Sequence, residues 1–107
     1  MELIWPRYEG GSLVNLPATM ATILGAEIDG APPLEPSLWK ELSHGTERII
    51  AILMDAVGYL ALRNLMDQDK DFVLTRLAHR GIFNPITSVF PSTTVAAFAS
   101  LASARPP

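Results

Sequence analysis

The sequence predicts an α/β chain in which parallel sheet strands are flanked by helices. Three observations carry that expectation. The run Arg48-Ile49-Ile50-Ala51-Ile52-Leu53-Met54-Asp55 is almost unbroken in its apolar character, as a strand covered on both faces by helices is. The segment Pro85-Ile86-Thr87-Ser88-Val89-Phe90 repeats the pattern nearer the carboxyl end. Between them lie helical patterns long enough for a right-handed crossover between parallel neighbours.

Taken in order, the segment through Gly11 carries Trp5, Pro6, Tyr8 and a glycine pair, which reads as an extended arm with a turn. A helix follows, opened by Pro17 in its first turn and continued by Leu16, Met20, Ile23 and Leu24 at helical spacing, with Gly25 as its stop. The Pro-rich stretch from Gly30 to Pro36 reads as a surface connection, and residues 37–42 as a short helical turn. After Asp55, Gly58 loosens the chain ahead of a helix over roughly residues 59–66. Asp69-Lys70-Asp71 is expected to cap the next helix, in which Phe72, Val73, Leu74 and Leu77 face inward and Gly81 follows as the stop. The last helix opens at Thr94, with Val95, Phe98, Leu101 and Ala102 recurring along one side.

Composition narrows the functional classes. With 107 residues, 49% of them hydrophobic, the chain makes one domain at most with enough apolar surface for a core. Eight basic residues against eleven acidic ones, spread along the chain for a net charge of -3, give no basic stripe for reading nucleic acid. The absence of cysteine rules out disulfides and thiolate ligands, so a metal would be held by oxygen or histidine. The amino terminus lacks the basic start and apolar core of a secretion signal, making the cytoplasm the expected location. The longest apolar run is far short of the roughly 20 residues that span a bilayer.

Two places are suited to chemistry. Asp55 ends a predicted strand, where open α/β sheets build their ligand crevice and where a carboxylate can hold a cation. Pro91-Ser92-Thr93-Thr94 leads into a helix whose free N–H groups and positive dipole end suit a phosphate. Taken singly, an aspartate in a turn and hydroxyls before a helix are ordinary capping residues, and Ser92 or Thr93 is expected to cap. His44 and His79 read as structural or surface residues. The acidic group Asp67-Gln68-Asp69-Lys70-Asp71 lacks the spaced ligands and turn glycine of a calcium loop.

Together these segments resemble the amino-terminal part of an alkaline phosphatase superfamily enzyme, in the type I phosphodiesterase and nucleotide pyrophosphatase family. The likeness is carried by Tyr8-Glu9-Gly10-Gly11-Ser12-Leu13-Val14-Asn15-Leu16-Pro17, by Ile50 to Gly58, and most specifically by Thr87-Ser88-Val89-Phe90-Pro91-Ser92-Thr93-Thr94. The resemblance implies a partial alkaline-phosphatase-like fold, with a lead-in over residues 1–46 and core strands plus nucleophile helix over residues 47–107. It implies hydrolysis of phosphoric ester or anhydride bonds, with Thr94 as nucleophile and as a metal ligand, Asp55 as a second metal ligand, and a covalent phosphothreonine intermediate.

Two divalent cations are implied, zinc by family expectation, and the substrate would be a small phosphate ester or nucleotide. The alternatives are a phosphomonoesterase or phosphonate hydrolase of the same superfamily, or a short inactive interaction module. Relatives continue into a His-Gly segment and supply further aspartate and histidine ligands, so the chain reads as a fragment that is inactive alone. Where the family has glycine after the strand aspartate, this chain has Ala56, a methyl group at a turn that favours glycine.

Overall fold

The computed structural model describes residues 3–107; Met1 and Glu2, at the start of the lead-in arm, lie outside the described residues. Four helices form: α1 (Leu16–Ile23), α2 (Tyr59–Gln68), α3 (Val73–Arg80) and α4 (Thr94–Ser103). Each answers to a helix in the sequence pattern. Pro17 lies in the first turn of α1, and Gly25, at φ +80°, follows its end. Gly58 precedes α2, Gly81 follows α3, and Thr93 caps α4. Short 3-10 turns occupy Leu13–Asn15, Pro36–Leu38 and Glu41–Ser43.

The expected parallel sheet does not form. Among the described residues the only β pairing is one isolated parallel bridge, Ser12 with Thr87. Residues 48–54 carry no regular secondary structure, and Ile50 and Ile52 are 88% and 81% exposed. The reason is pairing rather than composition. A strand satisfies its backbone only through neighbours, and among the described residues the backbone of residues 47–57 makes no hydrogen bond. The second expected strand, at residues 85–90, is reduced to its bridge at Thr87. There the Leu13 N–H donates to the Thr87 carbonyl at 2.9 Å and the Thr87 N–H to the Gly11 carbonyl at 2.8 Å. Its partner is therefore the lead-in arm, not the apolar run ending in Asp55.

The chain divides into two units, one of residues Met1–Ile50 with Ile86–Pro107 and the other of residues Ala51–Pro85. In the first, α1, α4 and the 3-10 turn at Leu13–Asn15 pack together, and Val14, Ala18, Leu34, Val89 and Ala104 are buried. These apolar side chains are mostly small. Polar ones fill much of the remaining interior: Ser12, Asn15, Thr19 and Ser100 are also buried, and all but Ser100 make hydrogen bonds.

Asn15 is the centre of this interior. Its Oδ1 accepts from the Gly10 N–H at 3.2 Å and the Ser12 N–H at 2.9 Å, while its Nδ2 donates to the carbonyls of Tyr8 and Pro32, both at 2.7 Å. Every polar position of a primary amide is thereby used. The Pro-rich stretch is accordingly no loose surface connection. Leu34 is buried, its N–H donates to Thr19 Oγ1 at 2.8 Å, and its carbonyl accepts from Trp39 Nε1 at 2.8 Å. Ala31 N–H donates to the Ala104 carbonyl at 2.7 Å, and Arg105 pairs with Asp29 at 2.7 Å. Gly30 is required at this crossing, because a Cβ there would lie 2.5 Å from the Ala104 carbonyl oxygen.

The second unit packs α2 against α3. Thr75 is buried and donates to the Asp69 carbonyl at 2.9 Å, fastening the start of α3 to the end of α2. Asp69 does not cap α3 directly. Its Oδ1 accepts from the Asp71 N–H at 3.0 Å, shaping the turn, and Phe72 takes the position before the helix. Tyr59 and Phe83 stack at 5.2 Å, with Arg63 5.5 Å above the Tyr59 ring.

Candidate functional site

The segment from Thr87 to Thr94 is built from its anchors outward. Val89 is buried, and Thr87 on one side of it is bonded to the lead-in arm at five points. Two are the backbone bonds of the bridge. In the others, Thr87 Oγ1 accepts from the Arg7 N–H at 2.9 Å and donates to the Gly11 carbonyl at 3.2 Å, and the Thr87 carbonyl accepts from Ser12 Oγ at 3.0 Å. Beyond Val89 the Phe90 N–H donates to the hydroxyl of Tyr8 at 3.1 Å. Pro91 has no N–H to offer, and Ser92 makes no side-chain bond among the described residues.

The three hydroxyls ahead of α4 then divide their work. Thr93 Oγ1 accepts from the Ala96 N–H at 3.2 Å, the ordinary cap that satisfies one free donor of the first turn. Thr94 is the first residue of the helix, is exposed, and its hydroxyl makes no hydrogen bond among the described residues. The cap and an uncommitted hydroxyl thus fall on adjacent residues. No protein-family model, curated protein or solved structure matches the chain.

Asp55 belongs to the second unit, where it stands in an exposed turn rather than at the end of a strand. Ala56 beside it adopts φ 58°, the left-handed conformation that a methyl group disfavours. Among the described residues no group of three or more His, Cys, Asp or Glu gathers to hold a metal ion. His44 is exposed and His79 lies in the last turn of α3. A hollow of about 400 Å³ in the first unit is lined by Tyr8, Glu9, Asp29, Gly30, Ala31, Pro32, Arg105 and Pro106, and so includes neither Thr94 nor the segment before it. Among the described residues no helix is long and apolar enough to cross a membrane.

Two residues that matter to this segment were not singled out by sequence reasoning. Tyr8 reads as one aromatic among several in a lead-in arm, and its partner lies 82 positions away. Asn15 reads as a polar residue before a helix. The sequence signal was the setting of Asn15, between Gly10-Gly11-Ser12 and an apolar helix, where a polar side chain must have its bonds satisfied if it is buried.

Proposed function

We propose that the chain carries the nucleophile of a metal-dependent phosphodiesterase or nucleotide pyrophosphatase, in which Thr94 attacks phosphorus. The observation that carries this reading is the division of labour at the start of α4: Thr93 caps the helix and leaves the Thr94 hydroxyl exposed and uncommitted. It is supported by the resemblance of Thr87 to Thr94 to the nucleophile segment of that family.

The chemistry balances simply. The Thr94 Oγ–H bond gives up its proton as the Oγ–P bond forms, and the P–O bond to the leaving alcohol or phosphate breaks, that oxygen taking up a proton. Water then cleaves the Oγ–P bond and restores the hydroxyl. A threonine hydroxyl is almost wholly protonated at neutral pH and needs activation. The first turn of α4 offers free N–H groups and a dipole worth about 0.3 to 1 kcal/mol toward a negative charge. That is too little alone.

The remaining activation is assigned to divalent cations, zinc by resemblance, with the Asp55 carboxylate as one ligand and Thr94 as another. Two oxygens do not make a site for an ion that takes about four ligands. Among the described residues no group of three or more His, Cys, Asp or Glu gathers to supply the rest. The 107 residues alone are accordingly expected to bind zinc weakly and to turn over little.

The test uses the product of the complete reading frame, incubated with zinc and bis(p-nitrophenyl) phosphate. Quenched protein should carry a phosphoryl adduct on Thr94 by mass spectrometry, and Thr94→Ala should abolish turnover while Thr94→Ser retains part of it. Turnover that survives Thr94→Ala, or an adduct on Ser92 or Thr93, overturns the assignment.

A further inference from the structure

We infer that Tyr8 is a positioning residue for the Thr94 segment, an inference that rests on the phosphoryl-transfer reading above. The phenol is the last tether before the helix. Following the chain from the buried Val89, the Phe90 N–H is held by Tyr8 Oη at 3.1 Å, Pro91 has no donor, Ser92 makes no side-chain bond, and Thr93 caps α4. Without the Tyr8 hydroxyl, nothing between Val89 and Thr93 bonds this stretch to the rest of the protein among the described residues. Thr94 follows directly.

Tyr8 is itself held in place. Its backbone carbonyl accepts from Asn15 Nδ2 at 2.7 Å, and Asn15 is fully buried with all of its polar positions occupied. The neighbouring Arg7 N–H is bonded to Thr87 Oγ1 at 2.9 Å, and Gly11 and Leu13 form the backbone pair with Thr87. The arm therefore grips the segment at Thr87 through backbone and side-chain bonds and at Phe90 through one side-chain oxygen. A relay runs from the Asn15 amide through Tyr8 to Phe90, and so to the loop that delivers the nucleophile. The half-buried ring supplies reach, and the hydroxyl supplies the contact.

Tyr8→Phe keeps the ring and removes only the oxygen, so it tests the tether without opening a cavity. In amide-resolved NMR of the 107-residue protein, the Phe90 N–H should lose its protection from exchange and shift upfield, and the Ser92 to Val95 amides should move with it. The resonances of the Asn15 side-chain amide should stay where they are. In the product of the complete reading frame, assayed with zinc and bis(p-nitrophenyl) phosphate, kcat should fall on the order of tenfold with KM unchanged, as expected of a misplaced reacting group. An unaltered Phe90 amide overturns the tether. An altered Phe90 amide with unaltered kcat overturns the positioning role. Failure of the underlying reading looks different, because turnover would then be absent in the parent protein or indifferent to Thr94→Ala, whatever the Phe90 amide does.

Discussion

Replacing Asn15 by aspartate changes one NH₂ into one oxygen and should be among the most damaging isosteric substitutions available in this chain. The carboxylate could keep the two bonds that Oδ1 accepts from Gly10 and Ser12. Its other oxygen would face the carbonyls of Tyr8 and Pro32, each 2.7 Å from the present Nδ2. If that group stays ionised, it meets two carbonyl oxygens in a fully buried site. If it is protonated, it can donate to one of them and leaves the other unpaired. Holding a carboxyl of ordinary pKa about 3.9 protonated at pH 7 costs about 4 kcal/mol at roughly 1.4 kcal/mol per unit, and an unpaired buried carbonyl adds about 1 to 3 kcal/mol. Relaxation and water entry reduce the sum. A deficit of about 3 to 5 kcal/mol is expected, against about 5 to 15 kcal/mol for the stability of a whole domain.

The pH dependence fixes the cause. The folded state raises the pKa of the introduced carboxyl above its unfolded value, so the penalty declines as pH falls from the raised folded pKa toward the unfolded value of about 3.9, and is largely gone below it, where both states are protonated. Urea unfolding of parent and Asn15→Asp, followed by circular dichroism and tryptophan fluorescence, should show the difference shrinking by about 2 to 3 kcal/mol between pH 7 and about pH 3.5. Trp39 is a suitable reporter because its Nε1 donates to the carbonyl of Leu34, in the same Pro-rich stretch that Asn15 holds at Pro32. A deficit below about 1 kcal/mol at pH 7, or one that does not change with pH, would refute the reasoning.

Gly30→Ala should destabilise the first unit by about 2 kcal/mol or more, since it adds a Cβ 2.5 Å from the Ala104 carbonyl oxygen at a residue with φ +135°; thermal unfolding measures it, and an unchanged midpoint would contradict the close approach. Ala56→Gly should stabilise the chain by a few tenths to about 1 kcal/mol, because Ala56 sits at φ 58° in an exposed turn; denaturant titration should show a raised midpoint, and a lowered one would mean that the methyl group is not strained. Thr93→Ala should cost about 0.5 to 2 kcal/mol through loss of the α4 cap, whereas Thr94→Ala should leave stability within about 0.5 kcal/mol. Equal effects of these two substitutions on unfolding would show that the hydroxyls do not divide their roles as described.

The helices were legible because their signals are local. Pro17 in a first turn, Gly25 and Gly81 as stops, and a hydroxyl before Val95 act within a few residues of the backbone they shape, and the structure follows each of them. The sheet was misread because a strand is not a local object. The apolar run at residues 48–54 matches the composition of a buried parallel strand, yet composition supplies only one side of a ladder, and among the described residues this run finds no other side. The bridge of Ser12 with Thr87 was illegible for the converse reason. Neither Gly10-Gly11-Ser12 nor Ile86-Thr87-Ser88 alternates as a strand pair would, and they meet across 75 residues through one bridge and the side-chain bonds around it.

The candidate site divides along the same line. Thr94 could be singled out from sequence because the resemblance of its segment is carried by contiguous residues, and the choice between Thr93 and Thr94 as cap follows from one hydrogen bond. Its supports could not, because Tyr8 and Asn15 act over distances that no pattern of spacing encodes. Asn15 meets Pro32 17 positions on, and Tyr8 meets Phe90 82 positions on. A buried amide with four satisfied bonds gains specificity rather than raw stability: only one arrangement of Tyr8, Gly10, Ser12 and Pro32 meets all of its demands at once. An apolar residue of similar volume at position 15 would deprive two carbonyls and two N–H groups of their partners, the N–H groups of Gly10 and Ser12 in buried residues. The polar interior therefore defines where the arm runs, and the arm defines where the segment leading to Thr94 begins.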